Sequence, residues 1–132
     1  MTEKLELYKC QVCSNLIEVI LPGVGELVCC SEPMELLKAK SYNEEAELFE
    51  KHVPVVVFNE EGERIIRVGS QLHPMTKEHY IMFIEAVSKD KNNAHLRYFY
   101  PEDDPCMEEP CECSAISRDY CNIHGLWEGE SD

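Results

Sequence analysis

The chain has 132 residues, 44% of them hydrophobic, which is room for one or two small domains and too apolar a composition for a disordered chain. A formal net charge of -14 repels nucleic acid and anionic membrane surfaces, and no apolar run reaches the length of about eighteen residues that a transmembrane helix needs. The first six residues lack a basic region followed by an apolar stretch, so a secretory signal is not expected and a cytoplasmic location is.

Residues 1–38 are cysteine-rich and punctuated by Pro22-Gly23-Val24-Gly25, with apolar stretches at residues 16–21 and 27–28 on either side. The pattern predicts short strands around a turn, with a cysteine pair at each end. So short a segment buries too little apolar surface to fold alone, which predicts a metal staple. From about residue 48 the pattern turns to β-branched runs. Strands are predicted at 52–58, opened by His52, and at 64–68, with 59–63 as the turn between them. Others are predicted at 80–87, where periodicity alone does not exclude a helix, at 95–100, and last before Cys121. Residues 101–114 read as an acidic, proline-bearing loop. Together these elements predict an all-β chain ending in a β-sandwich. The acidic runs at residues 43–47 and 102–112 read as solvated faces.

Eight cysteines in a chain expected in a reducing compartment point to metal ligands before disulfides. Cys10 and Cys13, in a Cys-x-x-Cys pair, and the adjacent Cys29 and Cys30 supply four thiolates, a tetrahedral set suited to iron or zinc. Adjacent cysteines on one ion require a distorted site. Residue chemistry leaves iron, zinc and one or two disulfides open here.

Four of the five histidines stand where a bland role is hard to find. His52 follows Glu50-Lys51, His73 and His79 bracket a five-residue segment, and His124 closes Cys121-Asn122-Ile123-His124, a recognised ligand spacing. One thiolate and four neutral imidazoles would leave ferrous iron a net charge of about +1, which attracts an anion. Five protein ligands leave the sixth position of an octahedron open to substrate, and a thiolate among them tunes redox potential. Zinc in the same place would be redox-inert.

The stretches Glu50-Lys51-His52-Val53-Pro54, Gly69-Ser70-Gln71-Leu72-His73-Pro74-Met75, His79-Tyr80-Ile81 and Cys121-Asn122-Ile123-His124-Gly125-Leu126-Trp127 together resemble the superoxide reductases. With Cys10, Cys13, Cys29 and Cys30 the resemblance is to the desulfoferrodoxin family, their two-iron class, over nearly the whole chain except residues 101–114. It implies a small desulforedoxin-like four-cysteine iron domain at residues 1–38, followed by an immunoglobulin-like β-sandwich at 39–132. It also implies two non-haem irons per chain, with zinc an alternative at the four-cysteine site. His52, His73, His79 and His124 would be equatorial ligands of the second iron and Cys121 its axial ligand. Lys51 matches a lysine that attracts superoxide and helps deliver protons; Glu50 matches a carboxylate that can occupy the open position. The implied reaction is one-electron reduction of superoxide to hydrogen peroxide without oxygen evolution. A rubredoxin-like protein would return the electron, and the chain would be a homodimer.

Cys106, Cys111 and Cys113 fall outside both ligand sets and read as free surface thiols, with a local redox disulfide or adventitious metal as alternatives. His95 has no partner motif, and Trp127 and Tyr80 are expected to pack around the ligand strands. Three rival functions remain at this stage: a zinc-stabilised contact module, an electron carrier using only the four-cysteine ion, and a superoxide dismutase.

Overall fold

Runs of β-branched and aromatic residues broken by glycine, proline and asparagine favour strands over helices, and strands are what form. The computed structural model describes residues 1–40, 51–69, 73–109 and 114–130, and twelve strands fall within them. Two units divide the chain, Met1–Lys38 and Ala39–Asp132.

In the first unit, β1 (Leu7–Lys9) pairs antiparallel with β2 (Leu16–Glu18) on one side and β5 (Glu35–Leu36) on the other. A separate ribbon joins β3 (Val28–Cys29) to β4 (Glu32–Pro33). Leu7, Cys10 and Val19 are the buried hydrophobic side chains of this unit among the described residues, whereas Ile20, Leu21 and Val24 are exposed. So thin a core supplies little hydrophobic stabilisation, which is the physical reason a cross-link or ion is needed.

The second unit holds β6 (Pro54–Phe58), β7 (Arg64–Val68), β8 (Ile81–Ser88), β9 (Ala94–Tyr98), β10 (Cys106–Glu108), β11 (Ser114–Cys121) and β12 (Gly125–Glu130). One sheet has the order β10-β7-β6 and the other β12-β11-β8-β9, with antiparallel pairing throughout. Lettered A to G in chain order, these are sheets A-B-E and G-F-C with the fourth strand beside C, an immunoglobulin-like arrangement. The β6–β7 turn is set by Asn59, whose Oδ1 accepts the N–H groups of Glu61 and Glu63 at 2.9 Å each, and by Gly62 at φ 81°.

Ile66, Val68 and Met107 from one sheet meet Ile81, Ile84, Ala86 and Cys121 from the other, joined by Phe99. Each large aliphatic side chain buried there contributes roughly 1.5–3 kcal/mol. At the β6–β12 margin the two sheets touch backbone to backbone. A Cβ on Gly129 would lie 2.3 Å from the Pro54 carbonyl oxygen, so only glycine lets this edge close.

Four expectations need correction or sharpening. The first strand of this unit starts at Pro54; Lys51 and His52 carry helical backbone just ahead of it. The apolar run is strand, not helix, from Ile81 to Ser88. The acidic stretch 101–114 contains β10, whose single inward residue, Met107, pairs with Ile66 and is too short a signal to read as alternation. A strand also follows Cys121: β12 carries two glycines and two glutamates, poor strand formers that packing overrides.

Candidate metal centres

In the first unit the four sulfurs of Cys10, Cys13, Cys29 and Cys30 all lie within 4.8 Å of one another. Cys10 Sγ accepts the N–H groups of Val12 and Cys13, each at 3.4 Å, and the turn is held by Ser14 N–H to the Cys10 carbonyl at 3.0 Å. Ser14 sits at φ 70°, as this tight reversal requires. Cys13 Sγ stands 3.6 Å from Cys29 Sγ, which is 4.0 Å from Cys30 Sγ. These separations exclude the disulfide alternative between those pairs, since a bonded pair lies at about 2.05 Å. The adjacent cysteines turn toward each other through left-handed backbone, Cys30 at φ 52° and Ser31 at φ 64°. This is the local distortion that two neighbouring ligands demand.

Three of these thiols are shifted by their neighbours in opposite directions. The Cys13 N–H, with that of Val12, draws the Cys10 thiol down to about 6. Hydrogen bonding with Cys13 and Cys10 then pushes Cys30 up to about 12, because a second thiolate beside the first is repelled; Cys29 rises for the same reason. Four thiolates coexist here only around a positive ion.

In the second unit, four imidazole rings form a closed square. Ring centroids stand 4.6 Å apart for His52 and His73, 4.8 Å for His73 and His79, 5.1 Å for His79 and His124, and 4.8 Å for His124 and His52. Neighbouring rings are tilted by 64–79°, while His52 and His79 face each other across the diagonal at 6.5 Å and 27°. His52 Nε2 lies 3.0 Å from His73 Nε2 and 3.2 Å from His124 Nδ1. His73 Nδ1 stands 2.6 Å from the Pro74 carbonyl, which fixes its proton there and leaves Nε2 as a lone pair. His79 Nε2 is buried with no partner among the described residues. Nitrogen lone pairs converging on one point, one of them an orphaned buried atom, fit a shared cation and little else.

Cys121 lies beside these rings at the end of β11, wholly buried, with Sγ 3.9 Å from His124 Nδ1. The ligand atoms of Cys121, His52, His79 and His124 lie within 4.8 Å of one another; His73 stands outside that set, its Nε2 3.0 Å from His52 Nε2. Burial pushes the Cys121 thiol up, while the N–H groups of His124 and Ile123 and the nearby charge of Lys40 pull it down. Asp119, two residues earlier, is fully buried without a hydrogen-bond partner among the described residues. Burial raises its carboxyl well above the usual range, and in its charged form it would push the Cys121 thiol up further. Burial likewise lowers His73 to about 4 and lowers His79, with His124 and Lys51 adding repulsion, so both are neutral and ready to bind metal at pH 7.

The fold supplies this constellation from distant segments. His52 precedes β6, His73 and His79 lie before β8, and Cys121 and His124 flank the β11–β12 turn. Trp127 on β12 stacks on His52 at 4.9 Å and 18°. Asn122 ties two ligand segments together: its Oδ1 accepts the Tyr80 N–H at 3.0 Å and its Nδ2 donates to the Glu78 carbonyl at 3.0 Å. Sequence reasoning missed this role; the signal available was a polar residue inside a Cys-x-x-His pair. Lys51 is half-buried and close enough for its charge to act on His73 and His79. Glu50, Cys111 and Cys113 lie outside the described residues. Cys106 is a free thiol 3.5 Å from Asp104 Oδ2, and His95 is exposed on β9.

Residues 2–37 match the family described as desulfoferrodoxin, N-terminal domain, and residues 44–130 match the family described as desulfoferrodoxin. A desulfoferrodoxin homolog of Archaeoglobus fulgidus is 44% identical over 130 residues, spanning 97% of this chain and 98% of that one. A superoxide reductase of Pyrococcus abyssi is 33% identical over 109 residues, 61% of this chain and 85% of that one. The crystal structure of the superoxide reductase from Treponema pallidum shares the fold, with a TM-score of 0.70 over 98% of this chain and 100% of that chain at 24% identity. Matched in both of its units, the chain belongs to the desulfoferrodoxin family.

Proposed function

We propose that this chain is a superoxide reductase whose reaction takes place at an iron held by His52, His73, His79, His124 and Cys121. The observation that carries this reading is the square of four imidazoles with the buried Cys121 sulfur beside it, and His79 Nε2 buried and unpartnered among the described residues. A redox-active iron bound there supplies the single electron that, with two protons, converts superoxide to hydrogen peroxide. The residues around it do the rest. Four neutral imidazoles add no negative charge, so an anion is attracted to the centre on an otherwise acidic chain. Lys51 would strengthen that local field and serve as the proton-delivering group, while Glu50 would offer a carboxylate to the ion. Cys121 donates electron density from the buried side.

Residues 1–38 form the second iron domain in this reading, with Cys10, Cys13, Cys29 and Cys30 as ligands. The same four thiolates accept zinc, so the ion there does not decide the activity. The family likeness supports a rubredoxin-like electron donor and a homodimer, and the free thiols suit a cytoplasmic, reducing setting. Cys121→Ser is the decisive variant: superoxide-dependent peroxide formation should collapse while the spectrum of the four-cysteine centre persists. Retained activity would return the function to the first unit or to an electron carrier.

A further inference from the structure

Lys40 enters neither ligand set, yet its contacts converge on the histidine–cysteine centre. Its backbone is stitched to β12, with its N–H donating to the Leu126 carbonyl at 2.9 Å and its carbonyl accepting the Glu128 N–H at 2.9 Å. A parallel bridge to Trp127 results. That anchoring sets the side chain over the Trp127 indole, Nζ 5.3 Å from the ring centroid, and lets Nζ donate to the His124 carbonyl at 3.1 Å. Trp127 Nε1 donates to the same carbonyl at 3.2 Å, and the indole face stacks on His52. One ammonium group thus braces two of the four imidazoles, one through its backbone and one through an aromatic plate.

We propose that Lys40 is a positioning residue for this centre, fixing His124 and His52 and favouring the reduced state of a bound redox ion. The inference rests on the function proposed above. A fixed positive charge at this range disfavours the more positive oxidised ion, and the cation–aromatic contact keeps the tryptophan plate in place. The sequence hides the residue, since a lone lysine outside every ligand motif carries no signal.

Lys40→Met keeps the aliphatic stem and both backbone bonds but removes the charge, so folding is preserved; Lys40→Arg retains charge and stacking. Trp127 is the sole tryptophan, so emission of the metal-free protein reports the contact without any ion. Lys40→Met should shift that emission. It should also raise the oxidised-to-reduced ratio of the iron-loaded centre about threefold at fixed applied potential, and Lys40→Arg should restore both. A methionine variant matching the parent in emission and ratio overturns the proposal, as does an arginine variant that behaves like methionine. If the parent protein takes up no redox-active ion, the function proposed above fails by itself; the emission comparison still decides whether Lys40 braces Trp127.

Discussion

Cys10 and Cys121 are held in the same way in two very different settings. Each sulfur receives N–H groups from residues two and three positions later, Val12 and Cys13 in one case and Ile123 and His124 in the other. Around Cys10 there is little more than a three-stranded sheet with two other buried hydrophobic residues. Around Cys121 there is a two-sheet core and an eight-residue strand. The comparison separates two uses of thiolate. In the small unit an ion held by the four thiolates would support the fold; in the larger one the fold itself brings the candidate ligands together.

The strongest way to break this contrast is to remove one thiolate from each site. Cys121→Ser should lower superoxide-dependent peroxide formation at least ~100-fold, and circular dichroism should still show a folded sandwich, because the core around it is intact. Cys13→Ser should do the reverse. The first ion is lost and backbone amides of Met1–Lys38 lose hydrogen-exchange protection, while superoxide reduction stays within about threefold. If Cys13→Ser abolishes activity as fully as Cys121→Ser, the two units are not separable in this way.

Acid should act on the histidine site next. His73 is lowered to about 4 in the folded chain from an ordinary 6.5, so the unfolded chain binds more protons between those values. Stability from this group is therefore complete above about pH 6.5 and is lost as pH falls toward 4, by about 3 kcal/mol in the metal-free protein. Denaturant titrations across that range measure it, and His73→Gln should flatten the slope. A smaller effect is expected at the sheet margin. Gly129→Ala forces a Cβ onto the Pro54 carbonyl and should cost about 2 kcal/mol, leaving the spectrum of the four-cysteine centre unchanged. Smallest of these, Asn122→Ala removes the tie between the Cys121 loop and the Tyr80 and Glu78 backbone, at about 1 kcal/mol by the same titration.

The two regions also differ in how far they can be read from sequence. Cys-x-x-Cys and Cys-x-x-His are local devices, so the residues that hold the sulfurs are visible in a few consecutive letters. The β6–β7 hairpin is equally plain, from valine and isoleucine runs around Asn59 and Gly62. The square of imidazoles is not local: His52 and His124 are 3.2 Å apart in space and 72 residues apart in the chain. Their grouping rested on residue chemistry and a family resemblance, not on a local pattern. β10 and β12 were missed because their strand character comes from partners, β7 for one and β11 for the other. Lys40 was invisible as a site residue, and Asn122 was marked only by its place inside the Cys-x-x-His pair, since their roles consist of hydrogen bonds to backbone far away in sequence.

One measurement bears most directly on the histidine–cysteine centre as the seat of the reaction. The iron-loaded, anaerobically reduced protein is given a superoxide pulse, and its visible spectrum, peroxide yield and oxygen yield are followed beside Cys121→Ser. The expected result is a new thiolate-to-ferric band with peroxide and no oxygen in the parent, and neither band nor peroxide above background in the variant. Peroxide formation that survives in Cys121→Ser, or a parent spectrum that superoxide leaves unchanged, would contradict it.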